Sequence, residues 1–222
     1  MANTIRVMIE RGPKGKNVVA CAIDWPGWSR GAKTEDSVRE SLESYRSRYR
    51  PVAKLAGLEP EFDAAGEVDI VERIEGTGST DFWGISWRTS SFETAPMSEV
   101  ELERKLTLLQ ACWAFFDGVA GRVSPEMRKG PRGGGRSRDQ MISHTRVTEI
   151  DQMSVKLGVK TPFEQIRSED GLREHHEAYL AAFREYNAAG RTARSWSLPF
   201  LLRHTSYHLM DHAWEMEDKS LT

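Results

Sequence analysis

The chain has 222 residues, 39% hydrophobic and 9% aromatic with seven Trp, enough for a packed core in one large domain or two small ones, which excludes a largely disordered polymer. With 31 basic and 33 acidic residues the formal charge is −2, which argues against a polycation that coats nucleic acid or an anionic membrane. Cys21 and Cys112 are too few for a disulfide framework, no apolar run approaches the roughly 20 residues of a bilayer span, and the start lacks a secretory stretch, so a cytoplasmic protein is expected.

Thr4 to Glu10 alternates, with Ile5, Val7 and Ile9 on one face, and reads as a strand. A turn cluster, residues 11–16, leads to Asn17–Ile23, a continuous apolar run that reads as a buried strand. Residues 24–31 (DWPGWSRG) read as a turn-rich loop. Thr34 caps a helix with Glu35 and Asp36 in its first turn, and Val38, Leu42, Tyr45 and Tyr49 follow at helical spacing. Pro51 is expected to end or kink that helix near Arg50. Glu67–Ile74 alternates again as a third strand, and residues 82–87 (FWGISW) read as a further short strand.

From Ser98 the period changes from two to 3.6. Ser98 and Glu101 form a capping box, and Leu102, Leu106, Leu109, Trp113 and Phe116 form one apolar stripe. A basic, Gly-rich loop, Arg128 to Arg138, carries five cations and no acid. Ser137 with Gln140 opens a second helix that Gly158 ends. Ser168 opens a third, closed by Gly190, and Ser197 with Pro199 opens a last one running nearly to the end. The expected fold is α+β: a small α/β unit over residues 1–90, then an up-and-down four-helix bundle over residues 91–222.

All six His lie in the last 79 residues, and His204, His208 and His212 fall in one nine-residue window. Imidazoles one helical turn apart can face one ion, but three across two turns converge poorly, so a third ligand is expected from another helix. His144, early in the second helix, is the candidate. His176 reads as a core-edge residue and His175 as solvated.

Residues 98 to 219 resemble the DinB-like metal-binding four-helix bundles. The likeness rests on a His early in the second helix (SHTRVTE, residues 143–149) and an H-x-x-x-H pair in the last (HLMDHAWE, residues 208–215). It implies one divalent metal on His144, His208 and His212, with zinc as first choice and nickel, iron or manganese as alternatives. It also implies open coordination positions and chemistry akin to transferases or isomerases that use a low-molecular-weight thiol. His204 is extra to the motif. Residues 4 to 75 resemble the HicB-like antitoxin domain, a partial ribonuclease-H-like fold, through the strands, the Pro26-Gly27 loop before Thr34-Glu35, and the helix. A helical bundle stands where such proteins carry a DNA-binding segment, so repression is not implied.

A three-His site without anionic ligands keeps the metal's charge and leaves room for water or substrate, the pattern of a catalytic site. The expected activity is a metal-dependent thiol transferase or hydrolase acting on a small molecule. Glu149 and Glu215, each near a ligating His, are candidate acid/base groups or else solvated helix charges, and Asp211 is a candidate imidazole-orienting acceptor. Arg132, Arg136 and Arg138 in the basic loop are candidates to hold a substrate anion, or belong to a plain surface loop. The alternative is a non-enzymatic interaction or regulatory protein, its N-terminal unit binding a protein partner and its metal structural. A homodimer is compatible with the bundle's apolar faces, and nucleic acid is not an expected partner.

Overall fold

The computed structural model describes residues 4–94, 96–130 and 135–221. Strands β1 (Ile5–Arg11), β2 (Val18–Ala22) and β3 (Ser29–Ala32) are followed by helices α1 (Glu35–Ser44), α2 (Arg46–Leu55) and α3 (Glu59–Asp63). Strand β4 (Val68–Glu75) and a short helix α4 (Gly78–Trp83) complete the first part. The long helices then follow: α5 (Glu99–Arg122), α6 (Arg138–Thr148), α7 (Glu169–Ala188) and α8 (Leu198–Lys219). The fold is α+β, as the change of sequence period implied.

The sheet has the order β3-β2-β1-β4. β1 is antiparallel to β2, with Val7 opposite Ala22 and Ile9 opposite Ala20, and parallel to β4 with a one-residue slip after Val7. Ile5, Val7 and Ile9 with Val18, Ala20 and Ala22 enter the main core, whereas Met8, Val19, Cys21 and Ile23 form a smaller cluster on the other face. Burial on both faces is what the continuous apolar run in β2 calls for.

Three expectations for this part are corrected. Residues 29–31 of the segment read as loop belong to the edge strand β3, whose sequence Ser-Arg-Gly-Ala carries no apolar alternation to announce it. Residues 82–87 are not a strand: α4 occupies Gly78–Trp83, capped reciprocally by Thr77 and Thr80 and stopped by Gly84 at φ 68°. The first helix breaks at Tyr45 (φ −91°, ψ 0°), not at Pro51, which lies inside α2. Tertiary packing decides the break: the Tyr45 ring meets Trp214 edge-on at 4.9 Å, with the Arg30 and Arg48 guanidiniums 4.0 and 4.6 Å from its centre.

α5 lies along α8, and α6 packs on α8 as well. The second helix is shorter than its capping signals suggest. After Thr148 it widens into a π-helical turn (Glu149–Met153), tightens into a 3₁₀ turn (Ser154–Leu157) and stops at Gly158 with φ 79°. The main buried cluster draws on both sides of residues 89–97, joining β1 and β2 to α2, α5, α7 and α8. The Pro26-Gly27 turn is pressed against α8. Gly27 has φ 95°, and a Cβ there would stand 2.8 Å from Met210 and 3.2 Å from the Ser206 carbonyl, so only glycine fits. No helix among the described residues is long and apolar enough to cross a membrane.

Candidate metal centre

Two well-capped helices carry the three proposed ligands. The Ser137 hydroxyl accepts from the Gln140 N–H at 3.3 Å, and the Gln140 side chain accepts from the Ser137 N–H at 2.9 Å, fixing the start of α6. Met141, Thr145 and Thr148 form its buried face, and half-buried His144 sits beside them. In α8 the Ser197 hydroxyl caps the Phe200 N–H, and Leu198, Leu201, Leu202, Leu209, Ala213 and Met216 are buried. His208 and His212 lie one turn apart on the flank of that apolar stripe.

Packing of α6 on α8 brings the three rings together. Ring centroids are separated by 5.2 Å (His144 to His208), 5.0 Å (His144 to His212) and 4.8 Å (His208 to His212). One nitrogen from each ring lies within 4.8 Å of the other two, and the Nε2 atoms of His144 and His208 are 3.3 Å apart. Nitrogens held at about 2.0–2.1 Å around a tetrahedral zinc ion stand about 3.3–3.4 Å from one another, so this edge already has the spacing such an ion requires.

Glu215 accepts from Nδ1 of His212 at 2.9 Å and also receives the Lys219 ammonium. That leaves Nε2 as the nitrogen His212 can offer. The His212 contact and Lys219, acting against burial, hold the Glu215 carboxyl down at about 2. Burial, reinforced by the neighbouring His212 and His144, pushes His208 down to about 2, and burial with nearby Arg136 lowers His144. Both are therefore neutral imidazoles near pH 7, the form that ligates metals.

No protein family, curated protein or solved structure matches this chain. What the site can do is therefore argued from its atoms. Three imidazole nitrogens converging from two helices, with a carboxylate behind one of them, are a donor set able to hold a cation without neutralising its charge.

The other candidates divide. Arg136 is exposed and its charge reaches His144, whereas Arg132 lies outside the described residues. Arg138 pairs with Asp139 at 2.8 Å and lines a different cleft, between α5, α6 and α7. Asp211 faces Arg30 of β3 at 3.9 Å, and burial raises its carboxyl. Cys112 is an inert buried thiol, pushed up to about 12.

Glu149 belongs to another network. Its oxygens take the indole N–H of Trp113 at 2.8 Å, Nε2 of His175 at 3.2 Å and Nε2 of His176 at 3.3 Å. His175, expected in solvent, is 1% exposed, with Nδ1 2.8 Å from the Thr161 hydroxyl. It sits three and four residues from Leu172 and Tyr179, and the helix turns it inward because Glu149 offers an acceptor there. His204 is buried against Trp87, Trp196 and Phe200, away from the ligand set.

Sequence reasoning missed Arg203 and Glu93. Arg203 is 3% exposed and forks onto Glu93 at 2.5 and 3.0 Å, and also donates to the Ser86 hydroxyl and the Arg88 carbonyl. Glu10 on β1 accepts from Thr80, Ser86 and the amides of Trp87 and Arg88. The one available signal was Glu10, a carboxylate inside a strand otherwise rich in buried residues.

Proposed function

We propose that this protein binds one divalent metal ion through His144, His208 and His212, zinc first, in a C-terminal DinB-like four-helix bundle behind a HicB-like α/β unit. The observation that carries the reading is the convergence of three imidazole nitrogens from α6 and α8 within 4.8 Å, with two of them at the 3.3 Å spacing. Two helical His one turn apart arise often by chance. A third His arriving from a helix 64 residues away in the chain, with both rings of the closest pair kept uncharged, does not follow from amphipathic patterning alone.

The reaction class we propose is transfer or hydrolysis on a small electrophilic substrate, with a low-molecular-weight thiol or water as the nucleophile. A divalent cation bound to neutral imidazoles lowers the pKa of a thiol or water toward neutrality. Glu215 fixes the His212 tautomer and ring plane and is engaged on both oxygens, so its role is to orient the ligand rather than to shuttle protons. Arg136 supplies a cation on the α6 side of the site, suited to the anionic group of a substrate.

The test is elemental analysis of the purified protein beside His208→Ala and His144→Ala. One equivalent of a divalent metal in the parent, lost in both variants with the fold retained, is expected. Equal metal content in all three proteins overturns the reading.

A further inference from the structure

A second cleft, of about 790 Å³, opens between α5, α6 and α7. Its volume lies within the roughly 300–1,000 Å³ typical of small-molecule sites. Each helix contributes one face at helical spacing: Trp113, Ala114, Asp117 and Gly121 from α5, Arg138, Ile142 and Arg146 from α6, and Leu172, His176 and Leu180 among those of α7. Residues 138, 142 and 146 are about 100° or more round α6 from His144 at 100° per residue, so the cleft and the three-His cluster use different sides of that helix.

The floor is aromatic and rigid. The His176 imidazole stacks on the Trp113 indole with centroids 3.7 Å apart and planes 8° from parallel. Both rings are pinned from below by the buried Glu149 carboxylate, which takes one N–H from each. Ala114 and Gly121 keep the α5 wall low. The indole lies buried beneath the imidazole, so what the cleft offers an apolar group is the partly exposed His176 ring with Leu172 and Ile142 beside it.

The rim is charged in a patterned way. The α6 wall presents Arg138 and Arg146 and no acid, while the opposing walls present Asp117 from α5 and Glu169 and Glu177 from α7. Of the cleft's cations Arg138 is held by Asp139 and Arg173 by Asp170, each at 2.8 Å, which leaves Arg146 as the guanidinium facing the cleft's acids. Across the cleft Arg146 and Asp117 form a long ion pair at 3.6 Å, which a ligand carrying both charges can replace.

We propose that this cleft is a second, metal-independent site that binds a small zwitterion with an apolar or aromatic body, an amino-acid-like ligand. Its carboxylate takes the place of Asp117 at the Arg146 guanidinium, its ammonium takes the place of Arg146 at Asp117, and its side chain lies against His176, Leu172 and Ile142. A simple anion or cation leaves one wall unpaired and forfeits that half of the recognition.

Three probes with one aromatic body separate the charges: L-phenylalanine, 3-phenylpropionate, which lacks the ammonium, and phenethylamine, which lacks the carboxylate. Calorimetric titration is expected to show one site for phenylalanine, with both analogues weaker by about tenfold or more. Arg146→Gln, at a half-exposed position, is expected to weaken phenylalanine and 3-phenylpropionate and to leave phenethylamine no weaker, while Asp117→Asn does the reverse. Leu172→Trp fills the cleft and is expected to abolish binding with the circular dichroism spectrum retained. Chelator-treated protein is expected to bind phenylalanine as well as untreated protein. Equal affinity for all three probes, no binding by any, or full binding in the Leu172→Trp protein overturns the proposal. Loss of binding on chelation also overturns it, since that places the ligand at the three-His cluster, while absence of metal from the protein leaves it standing.

Discussion

Glu215 stands one turn beyond His212 and takes its Nδ1 at 2.9 Å, while Lys219, another turn on, holds the same carboxylate from the far side. A row of three side chains along α8 thereby presets one imidazole. If His212 is a ligand, Glu215 tunes it, and changes to such a partner typically cost 10–100-fold in metal affinity. Glu215→Gln is expected to weaken zinc binding by about tenfold, and Glu215→Ala by more, without the complete loss expected from His212→Ala. Competition against a chromogenic chelator measures all three. Affinity unchanged in Glu215→Ala means the contact is incidental.

His204 gives a pH prediction independent of metal. Burial, helped by the adjacent Arg203 charge, pulls its imidazole down from the usual 6.5 to about 3. The folded protein therefore keeps it neutral where the unfolded chain takes up a proton, so stability falls as pH drops below 6.5 and continues to fall toward 3. At pH 5 this one group removes about 2 kcal/mol. Urea titrations at pH 7 and pH 5 on the parent and His204→Phe measure it. The drop between the two pH values is expected to be smaller in the variant. An identical drop shows that His204 titrates normally.

How much of this was legible in the sequence depends on what each residue answers to. Period and capping are local, so β1, β2, β4 and the starts of α5, α6, α7 and α8 could be read from Ser98, Ser137, Ser168 and Ser197 and the apolar spacing behind them. The convergence of His144 with His208 and His212 was legible because one helix cannot aim three imidazoles at one point. Features set by distant partners were not legible. Tyr45 breaks a helix because Trp214, 169 residues on, packs against it. The segment 82–87 has strand composition, yet it ends α4 and then coils, the amides of Trp87 and the following Arg88 being claimed by Glu10 instead of by a neighbouring strand. His175 looked solvated because nothing nearby in sequence announces Glu149 as its acceptor.

The Arg203–Glu93 pair joins α8 to the segment between α4 and α5, with both side chains nearly excluded from solvent. One bidentate contact to Glu93 and three further acceptors, the Ser86 hydroxyl, the Arg88 carbonyl and Cys21 Sγ, satisfy the guanidinium, and the carboxylate also receives the Ser90 amide at 2.9 Å. Removing one partner strands a buried charge, which costs about 3–5 kcal/mol. Glu93→Gln and Arg203→Met are each expected to lower the unfolding free energy from urea titration by that order. The double variant is expected to lose less than the sum of the two, since neither charge is then left alone. Additive losses show that the two groups act separately.

Glu149 is held by three N–H donors at the point where α6 widens into its π-helical turn. Burial alone raises a carboxyl, but the hydrogen bonds from His175 and His176 and their charge outweigh it and hold Glu149 at about 2, against an ordinary 4.5. The folded state thus resists protonation that the unfolded chain accepts. The stabilisation is complete above pH 4.5 and is lost as pH falls from 4.5 toward 2, about 3 kcal/mol across that window. Glu149→Gln keeps the shape but turns one acceptor into a donor facing Trp113 or the two imidazoles. It is expected to destabilise the protein by a similar amount at neutral pH and to flatten the acid limb of the stability curve. Because the Trp113 indole donates to this carboxylate, the variant is also expected to shift tryptophan emission, which Trp113→Phe identifies. A variant as stable as the parent at pH 7, with the same acid limb, shows that Glu149 does not carry the charge assigned to it.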